Sequence, residues 1–163
     1  MLNLKCLVIL LALSCLGTCR NLGNDKTSRN SPRIKEFVTI NGSEYYIDTD
    51  SWLTHDQAKA NCITRNSRLV TFSSREKYND LVTYLSTRGL GWTWFWTDGF
   101  RPVSSSRWFW SNSNTEITEF LWAVNRPEAQ SLSQSRCITF SFDFKGWDDD
   151  PCNIVLPHVC EKC

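Results

Sequence analysis

Cysteine and histidine are the residues of this 163-residue chain whose chemistry can be tested from spacing alone. Zinc needs a tetrahedral set of thiolates and imidazoles. Only Cys160-Glu161-Lys162-Cys163 has the Cys-x-x-Cys spacing, and no second pair or histidine cluster completes a site. The histidines, His55 and His158, fall on separate segments. With no Gly-x-Ser-x-Gly elbow and no obvious nucleophile beside either, a hydrolase is the weakest functional class, and the chain reads as a non-enzyme. Asp148-Asp149-Asp150, just before Pro151, reads locally as a solvated turn. Aromatic chemistry is plentiful, with eight Trp and nine Phe against one Met. Trp94, Trp96, Trp108, Trp110 and Trp147 have the burial habits of core residues. Phe120 and Trp122 stand in a polar stretch, where aromatics either stack on apolar sugar faces, anchor a protein or pack beneath the loop.

Composition narrows the partners. Eighteen Lys+Arg against 17 Asp+Glu give a net charge of +1, which excludes nucleic-acid binding driven by counterion release. Hydrophobic residues at 41% are enough for a core, and the length suits one domain. Lys5 and the apolar run Leu7 to Leu16, followed by Gly17, Thr18 and Cys19, form a secretory signal pattern over residues 1–19. The run is short of the roughly 20 apolar residues of a membrane span, and no later run reaches that length. The expected destination is extracellular, where disulfides persist. After cleavage behind Cys19, Cys62, Cys137, Cys152, Cys160 and Cys163 remain. Cleavage behind Gly17 would keep Cys19 as a partner for Cys163. The first alternative leaves Cys163 free to link two copies of the chain.

Residues 20–36 read as a flexible polar leader, and 37–163 as the folded domain. Phe37 to Ile40 and Tyr45 to Ile47 are strand-like around Asn41-Gly42, a hairpin signal that doubles as the glycosylation sequon Asn41-Gly42-Ser43. Thr54 and Gln57 form a capping box for a helix running to about Asn66. Ser73 and Glu76 form another, followed by Tyr78, Leu81, Val82 and Leu85 on one helical face and by Gly89 as a stop. Short strand-like runs follow, interrupted by a long polar region from Ser111 to Ser135, which makes the class α+β.

This ordered set resembles the C-type lectin-like domain. The resemblance lies in Tyr45-Tyr46-Ile47 with Trp52, Ala58 and Cys62; in Leu69 to Glu76; in Trp94 to Gly99; and in Cys137, Gly146-Trp147-Asp148-Asp149, Cys152 and Val159-Cys160-Glu161. It covers residues 37–162, and the short layout is similar to secreted arthropod C-type lectins. The resemblance implies two helices and short antiparallel strands with a long loop. It also implies the bridges Cys62–Cys160 and Cys137–Cys152, with separations of 98 and 15 residues.

In sugar-binding members of that family a calcium ion in the long loop ligates the sugar. Calcium takes six to eight hard oxygen ligands. The implied ligand-binding positions here are Arg126, Pro127, Glu128, Ser135, Asp148 and Asp149, of which Glu128, Asp148 and Asp149 could ligate calcium. Arg126 departs from the pattern, because guanidinium has donors only. A fixed charge about 4 Å from the ion would oppose it by up to about 8 kcal/mol at an effective dielectric of about 20. The expectation is a secreted glycan-binding protein whose calcium dependence is opposed by Arg126. The alternative is a calcium-independent protein-interaction module, with Arg126 at the calcium position, paired to Asp148 or Asp149.

Overall fold

The structure, a computed structural model, describes residues 32–128 and 132–163. The expected signal peptide with Cys19, and residues 20–31 of the leader, lie outside the described residues. In chain order the elements are β1 (Lys35–Ile40), β2 (Ser43–Leu53), α1 (His55–Ile63), β3 (Ser67–Leu69), α2 (Arg75–Thr87), β4 (Phe95–Arg101), β5 (Phe109–Trp110), β6 (Thr115–Glu116), β7 (Arg136–Ser141), β8 (Gly146–Pro151) and β9 (Leu156–Lys162).

The N-terminal half follows local rules. Asn41 and Gly42 have φ of 45° and 81°, the left-handed pair that a two-residue hairpin turn between right-twisted strands requires. The Asn41 side chain is exposed there. Folding starts earlier than the leader boundary suggested: Ile34 is buried, and its N–H donates to Thr49 Oγ1 at 2.6 Å, drawing Lys35 and Glu36 into β1. Thr54 and Gln57 close both halves of the capping box on α1. The second cap is one residue later than expected. Ser74, not Ser73, accepts from Lys77 N, because adjacent serines offer the same side chain in two registers. Gly89, at φ 72°, ends α2.

The sheet runs β1-β2-β9-β4-β5-β6, with β3 on β9 and the β7–β8 ribbon attached through β4. One core fills the space beneath α2 with Ile47, Leu81, Leu85, Phe95, Phe140 and Trp147. A second lies against α1 with Ala58, Trp96 and Leu156, and contains both bridges, Cys62–Cys160 and Cys137–Cys152. Cys163 is exposed and outside both bridges.

Both histidines serve this frame. His55 Nε2 donates to Thr97 O, and His158 Nε2 donates to Asn61 Oδ1, each at 2.9 Å. Burial pushes His158 down to about 4, although Asp48 across the strand pair pulls the other way; Arg65 and Lys35 add to the depression. Burial also lowers His55. A histidine depressed in the folded state takes up protons only in the unfolded chain between the two pKa values. Stability is therefore full above about pH 6.5 and falls as the pH drops toward 4, by a few kcal/mol for His158. Asp98, raised by burial, adds a slope of opposite sign, so the contrast between wild type and His158→Gln isolates the effect. Urea unfolding at pH 7 and pH 4.5 should show wild type losing more stability than His158→Gln; equal losses would contradict the assignment.

Candidate functional site

The site is built on the β7–β8 ribbon. In its register Thr139 faces Asp148, Ile138 faces Asp149 and Cys137 faces Asp150, and the Cys137–Cys152 bridge closes its end. Asp148, Asp149 and Asp150 belong to β8 and are buried, which corrects the reading of a solvated turn. Burying carboxylates requires partners. Thr139 Oγ1 donates to Asp150 at 2.7 Å. Arg136 Nε lies 3.3 Å from Asp149 Oδ2, and its Nη2 donates to Asp149 O at 2.5 Å. Asp148 is met from the long loop.

That loop is fixed to the ribbon by backbone bonds. Trp147 N donates to Leu121 O at 2.7 Å, and Ala123 N donates to Trp147 O at 2.8 Å, forming a parallel bridge between Trp122 and Trp147. Gly146 makes this approach feasible: a Cβ there would meet Ala123 N and Leu121 O at 2.5 Å. Trp147 is 1% exposed, in keeping with the core role expected for it. Trp122 packs edge-on against Trp147 at 6.0 Å between centroids and stacks on Phe120 at 5.3 Å, so the loop aromatics pack inward against the core.

Four residues beyond Trp122, Arg126 Nε lies 3.0 Å from Asp148 Oδ1, and its Nη1 donates to Glu128 Oε2 at 2.6 Å. The Arg126–Pro127 peptide is cis. Glu128 N donates to Asp149 Oδ1 at 2.5 Å, joining the loop to the second aspartate. Arg126, Glu128, Asp148 and Asp149 thus meet in one cluster, with Pro127 between its loop members. Ser135 lies elsewhere, lining a cavity of about 530 Å³ with Thr54, Asp56 and Asn153. Arg136 was not foreseen as a member. Its signal was its place diagonal to Asp149 across a hairpin, within reach of a long side chain. A second cavity, of about 400 Å³, adjoins the cluster, and Arg126, Glu128, Trp94 and Phe144 are among the residues that line it.

Residues 51–162 match the lectin C-type domain. The chain belongs to the lectin C-type domain family. A relative, lectin subunit alpha of Sarcophaga peregrina, is 30% identical over 75% of this chain, and the match spans 45% of that protein's length. Among solved structures, the Ca²⁺-free form of a Ca²⁺-dependent type II antifreeze protein is 26% identical. It aligns with a TM-score of 0.63 over 78% of this chain and 97% of its own. The carbohydrate-recognition domain of mouse scavenger receptor C-type lectin aligns with a TM-score of 0.65 at 20% identity, over 77% of this chain and 92% of its own, which shows the fold.

C-type lectin domains often bind calcium, an ion that needs free carboxylate oxygens. All three candidate carboxylates are engaged. Asp148 Oδ1 takes Arg126 Nε and the Asp149 N–H at 2.8 Å; Asp149 takes Arg136 and the Glu128 N–H; Glu128 takes Arg126. Arg126 has no lone pair to give, and its charge stands among the oxygens the ion would need. The residues present do not fit calcium. Among the described residues one other metal-like grouping occurs, Cys62, His158 and Cys160, and its two sulfurs are joined in the disulfide.

No helix among the described residues is long and apolar enough to cross a membrane.

Proposed function

We propose that this C-type lectin domain is a secreted glycan-recognition protein whose long-loop site works without calcium. The observation that carries the reading is the Arg126 guanidinium shared between Asp148 and Glu128, at 3.0 and 2.6 Å. It supplies inside the loop the positive charge that a metal would bring, and it organises acceptors at the edge of an open cleft. Glu128 is exposed, so its carboxylate can accept from sugar hydroxyls while it stays paired. Family membership and the lectin relative support carbohydrate as the ligand class. The two disulfides fit an oxidising compartment, and the exposed Asn41 suits N-glycosylation there.

A second reading, the calcium-independent protein-interaction module, is favoured by exposed Val103, an apolar residue lining the Ser135 cavity. A glycan array probed with the purified domain, in calcium and in chelator, separates the two. The expected result is retention of the same glycans in both buffers. Loss of binding in chelator would overturn calcium independence. An empty array in both buffers would favour the interaction module.

A further inference from the structure

The two ends of the sheet are unlike. At one, β6 is two exposed residues long. At the other, β1 runs six residues in unbroken register with β2 and pairs with no other strand among the described residues. Edges of that length are commonly guarded by proline, by a bulge or by free charges. β1 has no proline and no bulge, and both of its charges are held: Lys35 Nζ lies 3.5 Å from Asp48 Oδ2, and Arg88 Nη1 donates to Glu36 at 2.6 Å. Which backbone groups are open follows from the turn. In a two-residue hairpin the flanking residues, here Ile40 and Ser43, exchange both backbone bonds, and bonded and non-bonded pairs then alternate along the strands. Thr49 N donates to Ile34 O at 2.8 Å, which keeps the same phase at the far end. Glu36, Val38 and Ile40 therefore bond β2, while the N–H and C=O of Lys35, Phe37 and Thr39 face outward. The side chains of those three are exposed, that of Phe37 by 56%, with its ring 4.8 Å from Tyr46.

We propose that β1 is the contact of a non-covalent homodimer, in which β1 of a second copy adds antiparallel to it about a two-fold axis at Phe37. The edge is complementary to itself. A strand paired with its own copy about a two-fold axis keeps outward-bonding residues opposite outward-bonding ones. Setting Phe37 opposite the second copy's Phe37 places Lys35 opposite the second copy's Thr39, and the reverse. Every outward N–H and C=O of Lys35, Phe37 and Thr39 then finds a partner. Sliding the register by two residues leaves those of Lys35 or Thr39 without a β1 partner. No like charges stand directly opposite, since Lys35 meets Thr39 and Glu36 meets Val38, and the two exposed Phe37 rings become a cross-strand aromatic pair. Such a ladder is a small interface beside the roughly 1,200–2,000 Å² of stable complexes, so a micromolar dissociation constant is expected. The contact does not involve Cys163, which lines a cavity with Gly42 and Ser43 at the turn end of the sheet, and it is independent of what the long loop binds.

Sedimentation equilibrium of the mature protein from about 1 to about 500 μM tests this, with Cys163→Ser in every sample to exclude covalent dimers. The expected result is a reversible monomer–dimer equilibrium. Thr39→Pro removes an outward N–H and no bond to β2, so it should weaken dimerisation by at least about tenfold while its urea unfolding at low concentration stays close to that of the parent. If that variant fails to fold, Phe37→Lys decides, since it sets like charges across the axis. Amide exchange gives a signature specific to this strand: the N–H groups of Lys35, Phe37 and Thr39 should become protected as the concentration rises. A parent protein that stays monomeric throughout overturns the proposal, and so does a dimer that both variants leave unchanged. Protection of those three amides in the monomer would show the edge occupied by the chain's own N-terminal residues, which overturns it as well.

Discussion

Replacing Cys62 and Cys160 together by alanine is expected to lower the free energy of unfolding by about 4 kcal/mol, the larger of the two disulfide effects. The bond joins α1 to β9 across a separation of 98 residues, and both cysteines are fully buried. In the chain-entropy treatment, closing so long a loop in the unfolded chain is worth up to about 4.7 kcal/mol, against about 3 kcal/mol for a separation of 15 such as Cys137–Cys152. The native side points the same way. Cys62 is one of the inward residues of α1, and Cys160 pairs with Tyr46 on β2 and Leu69 on β3. Losing the bridge therefore weakens the seat of the helix on three strands. Urea unfolding of the double variant measures the loss. A change below about 1 kcal/mol, or a larger effect from the shorter loop, would show that unfolded-chain entropy does not govern these bonds.

Arg126→Glu is expected to turn a chain with no measurable calcium affinity into a calcium binder. In wild type, millimolar calcium should produce no saturable heat in calorimetry. The substitution removes the cation from Asp148 and adds a fourth carboxylate to Glu128, Asp148 and Asp149, and ligand charge is a main lever on calcium affinity. The swap changes the local charge by two units, so a gain of at least tenfold is expected. A saturable isotherm in wild type would refute the account of Arg126. An Arg126→Glu protein that still fails to bind would move the obstacle to Arg136, whose hold on Asp149 is untouched by the change.

Much of the frame was legible because its signals are local. Thr54 and Gln57 are three residues apart and satisfy each other wherever the chain goes; Asn41-Gly42 supplies the dihedrals of its turn unaided. The register slip at Ser73-Ser74 shows the limit of such reasoning, since either serine meets the local rule and packing of α2 selects between them. The long-loop residues were found through resemblance, and four of them do converge. The state of the aspartates was not legible. A run of three acids before a proline looks solvated until Arg126, 22 residues upstream, and Arg136, across the ribbon, are brought to it. The packing of Phe144 against Trp92 and Trp94 was equally hidden, because these residues come from segments that only the β4–β7 pairing and the β7–β8 turn make neighbours.

The backbone stitch between Trp122 and Trp147 separates foundation from fingertip. Both strands of the stitch are held by main-chain bonds and by a glycine that admits no side chain. The residues immediately beyond it, Val124 and Asn125, are exposed and contribute nothing to either core. Sequence drift or deliberate randomisation at those positions can therefore rewrite what the domain touches while leaving intact the scaffold that presents it.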